Sequence, residues 1–231
     1  MSAKFFVKLH LNYPEMKNSM LKGAHLSEGK SQDILRYFSE DLTATQIANL
    51  TGVSRVTVNN YFRTIRLRIA RHCEEKNPSS NYSKNHSVVY LKKESDDYEN
   101  GPERHQTLYG FHWHNGKVFA SSLERKEKPE NGNGQMVSND HSLDQYRLQN
   151  FHAVADFKNW KLFSIQNSSD VAEDDIFCFW NDTKNRMVKF RGLHKNMLYL
   201  HVKECEFRYN YRNDDINTVL LGVMQKHFSI Y

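Results

Sequence analysis

The sequence predicts an α+β protein, mixed α/β in its larger part, in which an all-helical module precedes a core of strands followed by helices. Three observations carry this. From Ile34 to Cys73 apolar residues recur at three- and four-residue spacing in successive runs, as on amphipathic helices. From Leu108 to Ile165 the apolar runs are short and bounded by turn residues, as strands are. From Asp174 onward the helical spacing returns.

Residues 1–21 read as an N-terminal extension, and Lys22–Lys30 as a polar lead-in. Ser31 offers a cap to a first helix reaching about Phe38, with Ile34, Leu35 and Phe38 on its apolar face. Thr43 or Thr45 opens a second helix, Gly52 ends it, and Ser54 caps a third that runs to about Cys73. This module spans 22–76. Asn77-Pro78-Ser79-Ser80-Asn81-Tyr82-Ser83 has the composition of a linker, taken as 77–84, and the core follows at 85–231. Within it Ser87–Leu91 reads as a strand. Leu108–Ser121 reads as a hairpin turning at Asn115-Gly116, a pair that tolerates positive φ. The charged stretch Glu124–Gly134 is expected as a mobile loop, and Phe151–Asp156 and Lys161–Ile165 as short strands. Helices are expected from Asp174 until Arg191-Gly192-Leu193 interrupts, from about Asn196 to Tyr209, and from about Asp214 to Phe228.

Hydrophobic residues at 39% and aromatics at 13% supply a core and exclude global disorder. No apolar run approaches the roughly 18–20 residues of a membrane span, and the run in Met1–Lys8 is too short for a signal peptide. Cys73, Cys178 and Cys205 are odd in number and lack a CxxC pair, which argues against a disulfide framework or zinc ribbon. A soluble cytoplasmic protein with no membrane partner is the expectation. Net charge is +5, and all of the surplus lies in residues 1–76, which hold twelve Lys or Arg against seven Asp or Glu. A basic N-terminal third is where a polyanion would bind.

The second and third helices have the spacing of a helix-turn-helix. Ala48 is small where two helices cross, Gly52 can take the positive φ of the turn, and Val53 and Val58 fill the angle. Ile47, Leu50 and Phe62 are expected behind them. The outward face of the third helix carries Arg55, Thr57, Asn59, Asn60 and Arg63, and Arg and Asn make the bidentate contacts to guanine and adenine that allow base readout. Five arginines and no acid lie between Arg55 and Arg71, so Arg66, Arg68 and Arg71 are expected on phosphates. The predicted partner is double-stranded DNA.

The run Phe179-Trp180-Asn181-Asp182-Thr183-Lys184, then Lys189-Phe190-Arg191-Gly192, then Leu200-His201-Val202-Lys203-Glu204-Cys205-Glu206-Phe207-Arg208-Tyr209-Asn210 resembles the C-terminus of small bacterial insertion-sequence transposases of the group related to Merlin elements. The helix-turn-helix and the hairpin at Leu108–Phe119 fit that family's order. The resemblance implies an RNase H-like core of the DDE type, in which carboxylates hold two Mg²⁺ ions for phosphodiester attack. It also implies pairing of element ends by a homo-oligomer bound to bacterial DNA.

Matching that family residue by residue puts Lys93 where the first metal-binding Asp belongs, with Asp96 and Asp97 close by. Asp140 and Asp156 are the candidates for the second carboxylate. Ala172-Glu173-Asp174-Asp175-Ile176-Phe177 stands where the family reads His-Ile-Asn-Gly-Ile-Glu, leaving Asp174 as the third candidate. If the site is active, Asp140 and Asp174 are its expected catalytic and metal-binding residues, with Asp96, Asp97 and Asp156 as alternates. If it is not, no cofactor is expected. The sequence leaves three readings open: a DNA-binding transposase relative with impaired catalysis, an active Mg²⁺-dependent transposase, and a non-catalytic assembly partner of one. His112 and His114 share a strand face and read as structural, since no third ligand is placed nearby. Lys184, Arg186, Lys189, Arg191 and Lys195 read as phosphate-tracking or as a solvated basic face, and Cys205 as packed.

Overall fold

A computed structural model describes residues 26–78, 108–123, 148, 151–165, 170–190 and 197–226. The chain divides into two compact units, 1–64 and 65–231. The expected first strand, most of the 77–84 linker, the 124–134 segment and Asp96, Asp97 and Asp140 lie outside the described residues.

The first unit contains α1 (Glu28–Ser39), α2 (Ala44–Thr51) and the opening turns of α3 (Arg55–Lys76). α1 begins before Ser31, so that serine is interior to the helix and its Oγ lies 3.1 Å from the Tyr61 hydroxyl. Ile34, Leu35 and Phe38 are buried, and Phe38 meets Phe62 edge-on at 5.0 Å. Thr43 closes a capping box with Gln46 at the start of α2.

The boundary between the units falls inside α3, at Thr64–Ile65, well before the compositional linker. The reason is chemical: beyond Thr64 the helix buries Arg66, Ala70, Cys73 and Glu74, and their partners come from the strand-and-helix unit.

That second unit has a four-stranded antiparallel sheet in the order β2-β1-β3-β4, formed by β1 (Leu108–His114), β2 (Lys117–Ser122), β3 (Ala153–Asp156) and β4 (Lys161–Ser164). The β1–β2 turn has both Asn115 (φ 51°) and Gly116 (φ 74°) in the left-handed region, as a two-residue hairpin of this twist requires. Alternate residues face opposite sides. Tyr109, Phe111, Val118, Ala120, Ala153 and Ala155 pack with α4 (Asp170–Met187) and α5 (Leu198–Asn210), while Val154 joins Phe151 and Leu123 in a second cluster. Gly110 is required there: a Cβ on it would stand 2.4 Å from the Phe151 ring. A short 3-10 turn (Val188–Phe190) follows α4, and α6 (Ile216–Lys226) ends the described chain. α4 starts four residues before Asp174, and Asp215 caps α6, its carboxylate accepting from Asn217 N–H and the Thr218 hydroxyl. The described architecture is α+β.

Candidate functional site

The turn between α2 and α3 is fixed residue by residue. Gly52 has φ 68° and its N–H donates to the Ala48 carbonyl at 2.9 Å, closing α2 with the left-handed cap that glycine adopts at least cost. Thr51 Oγ1 donates to the Ile47 carbonyl and accepts from Val53 N–H. Val53 and Val58 are buried, and Ser54 Oγ accepts the Thr57 N–H at 3.1 Å, capping α3. One core expectation fails: Leu50 is 60% exposed. It stands three residues after Ile47 near the end of an eight-residue helix, and Ile47 alone of α2 is buried.

The early turns of α3 bury Val58, Tyr61 and Phe62 and expose Arg55, Asn59 and Asn60, with Arg63 half-buried. Thr57 stands at the margin of that outward face, where its hydroxyl lies 2.9 Å from Ser54 Oγ within the cap. The outward groups are therefore two amides and two guanidiniums on the first turns of a capped helix.

The three later arginines are placed differently. Arg66, expected on phosphate, is 6% exposed and its Nε donates to Glu204 at 2.7 Å. The acid that claims it is 138 residues away, which is why the acid-free run Arg55–Arg71 concealed it. Arg68 is half-buried, with Nη1 donating to the Met224 carbonyl at 2.8 Å; burial and the neighbouring Arg71 lower its pKa. Arg71 is half-buried.

Glu204 is the centre of the densest ionic cluster described. Its fully buried carboxylate accepts from Arg66, Arg186 and Arg208. Burial alone would raise its pKa, but the three guanidiniums hold it well below the carboxylate range. Arg186, read as phosphate-tracking, thus has its guanidinium on Glu204. Next door, Lys203 Nζ bonds Glu74 at 2.8 Å and Glu206 at 2.9 Å, and Tyr199 donates to Glu74. Burial would lower the ammonium's pKa, but the two carboxylates hold it well above its ordinary value. Burial keeps the Glu206 carboxyl above its own. Cys205, between the two clusters, is buried, which pushes its thiol up to about 12, so it is packed and unreactive.

The same helix also covers the outer margin of β2. Asn210 accepts the Val118 N–H at 2.9 Å and donates to the Val118 carbonyl at 2.8 Å, and Glu206 accepts the Ala120 N–H at 3.0 Å. Two side chains one helical turn apart thereby replace part of a neighbouring strand. The residues carrying the strongest sequence signature are an interior frame. The signal available in sequence was the set of charged pairs at three- and four-residue spacing, 203/206 and 204/208, inside an aromatic helix.

Two of the acidic candidates, Asp156 and Asp174, lie among the described residues. Asp156 ends β3 and serves the β3–β4 turn, Oδ1 accepting Lys158 N–H at 2.8 Å and Asn159 N–H at 3.2 Å, and Oδ2 accepting the Asn159 amide at 2.7 Å. Asp174 is exposed on α4 and lines a shallow cavity of about 250 Å³ with His152, Ser164, Glu173 and Phe177. Its neighbour Asp175 accepts from Trp113 Nε1 at 2.8 Å and Tyr209 OH at 2.9 Å, fastening α4 to β1 and α5. Among the described residues no group of three His, Cys, Asp or Glu is arranged to hold a metal ion. Asp156 and Asp174 therefore do not by themselves fit a Mg²⁺ site, which needs converging oxygen ligands.

A third histidine does approach the pair on β1. The His152 ring lies 5.1 Å from His112, and His112 stacks on His114 at 6.1 Å. His152 Nδ1 accepts the Trp113 N–H, so in the neutral ring the proton sits on Nε2 and that nitrogen is a donor. A ring in that tautomer is not a metal ligand. Of the other basic residues on α4, Lys184 lies over Trp180 at 5.5 Å, and Lys189 is exposed on the turn after it. Arg191 and Lys195 lie outside the described residues.

No protein-family model matches the chain, and no solved structure does. Over 62 residues, 25% of the chain, the sequence is 36% identical to an uncharacterized transposase-like protein of Haemophilus influenzae. The matched part spans about half the length of that relative. Part of the chain is thus similar to a transposase-like protein. Among the described residues no helix is long and apolar enough to cross a membrane.

Proposed function

We propose that the protein is a transposase-family DNA-binding protein that reads double-stranded DNA, at element ends or sites descended from them, through a helix-turn-helix formed by α2 and α3. The observation that carries this is the outward face of α3: Arg55, Asn59 and Asn60 exposed and Arg63 beside them, at the start of a capped helix. Guanidinium and amide side chains at that position match the donor and acceptor pattern of the major groove. The basic surplus of residues 1–76 supplies the sequence-independent attraction. Phosphate contact is assigned to Arg68 and Arg71; Arg66 belongs to the interior.

In this reading catalysis is impaired. The sequence supports it by placing Lys93 where the resemblance calls for a metal-binding Asp, and Ala172 and Phe177 where it calls for His and Glu. A lysine ammonium repels a divalent cation. The strand-and-helix unit is read as RNase H-like on the strength of the signature at 179–210, and a homo-oligomer on paired ends follows from the same resemblance. Mg²⁺ enters only in the alternative of an active enzyme drawing on Asp140 or Asp174.

The test combines selection of preferred duplexes from a random library with cleavage assays on the selected DNA in Mg²⁺ or Mn²⁺. Sequence-selective binding without cleavage is expected. Absence of selective binding would refute the reading, and metal-dependent cleavage abolished by Asp140→Ala or Asp174→Ala would establish the enzyme instead.

A further inference from the structure

One apolar side chain interrupts the polar face of α3. Val56 is 71% exposed, the most exposed of the large apolar residues described. At about 100° per residue, the buried Val58, Tyr61 and Phe62 define the inner direction of the helix, and Val56 points within about 20° of its opposite. Asn60, one turn on, and Arg63, two turns on, flank it on either side. The valine therefore occupies the middle of the face whose rim is made of hydrogen-bonding groups.

Local stability does not account for a valine there. A β-branched residue loses rotamer freedom in a helix, and at this position it gains no burial in return; a straight-chain polar residue would serve the helix better. A local choice that contradicts its own environment points to a contact made outside the chain. In the major groove one base presents an apolar group, the 5-methyl of thymine, and it adjoins the adenine edge that an Asn amide reads. We propose that Val56 is a specificity determinant that packs on a thymine methyl, so that the recognised site contains an A·T pair read by Val56 together with Asn59 or Asn60. The inference rests on the DNA-binding reading above and adds the base that this face selects.

Replacing thymine by deoxyuridine removes the methyl and leaves every hydrogen-bonding group in place. On the duplex selected by the wild-type protein, each thymine is changed to deoxyuridine in turn and affinity is measured for the wild type, Val56→Ala and Val56→Thr. The wild type is expected to lose about fourfold at one position, the worth of burying one methyl-sized group. Val56→Ala should bind the unmodified duplex about fourfold more weakly and no longer respond to deoxyuridine at that position; Val56→Thr, which keeps a methyl, should still respond. Since the side chain is exposed, Val56→Thr should melt with the wild type and Val56→Ala no lower than it.

Selective binding that is indifferent to deoxyuridine everywhere would overturn the proposal while leaving the DNA-binding reading intact. Failure to bind any duplex would overturn both. Unchanged DNA affinity in Val56→Ala with loss of self-association in sedimentation would assign the valine to protein contact and overturn the thymine reading.

Discussion

Gly110 and His201 show how far single positions in the core are committed. Gly110 lies under the Phe151 ring, where an added methyl would meet ring carbons at 2.4–2.6 Å, closer than packed atoms approach. Gly110→Ala is therefore expected to lower stability by about 1–3 kcal/mol, the range for overpacked sites, as read from the midpoint of urea unfolding. His201 is nearly buried, and burial, then the adjacent Arg66 guanidinium, brings its pKa to about 3. A histidine depressed in the fold is neutral there and charged in the unfolded chain, so its contribution is complete above about pH 6.5 and is lost as pH falls toward 3. Glu206, held above its ordinary value, works in the opposite direction, so a difference between variants isolates the histidine. Between pH 7.5 and 4.5 the wild type should lose up to about 3 kcal/mol more than His201→Gln, measured by urea unfolding at each pH. An equal loss in both proteins would remove His201 as the cause. Neither commitment is legible in the sequence, because the Phe151 ring and the Arg66 guanidinium are brought there by distant segments.

Among the elements, α5 has the most to explain. Its sequence alternates charge with aromatic residues, and a helix exposed on one side would be the ordinary reading; instead Lys203, Glu204 and Glu206 are all fully buried. Partnerless charges at that depth would be prohibitive, so removing one partner costs far more than the pair itself contributes. Glu204→Gln leaves Arg66, Arg186 and Arg208 facing a neutral amide and is expected to cost about 3–5 kcal/mol in thermal or urea unfolding. A loss below about 1 kcal/mol would mean that water reaches these guanidiniums. The bounds of this helix and the hairpin at Asn115-Gly116 were legible because spacing and turn chemistry are local. The burial of its charges was not, since their partners Arg66, Glu74 and Arg186 come from α3 and α4. The same blindness put Arg66 on DNA.

For the whole molecule, the expectation is that recognition and stability respond to different residues. Arg55→Ala should weaken binding to the selected duplex by about 1–3 kcal/mol and relax base preference, with the unfolding midpoint unchanged. Equal weakening on all sequences would demote Arg55 to a phosphate contact. Arg66→Gln should lower the melting temperature while leaving the salt dependence of DNA affinity as it was, because a guanidinium bound to Glu204 displaces no counterion. The α+β character and the capped turn before α3 were legible in outline from composition and spacing. The candidate acids were not resolved by pattern alone: Asp156 proves to hold a turn, a role that any strand-ending Asp can take. The cover that Asn210 and Glu206 place on β2 has a consequence for how copies of the chain can associate. A sheet margin whose N–H and carbonyl groups are already taken by side chains is a stopped growth front: no second molecule can extend the sheet across Val118 and Ala120 without first evicting them. Association of copies by strand addition is therefore closed at this margin, and it stays inert even where the chain is concentrated.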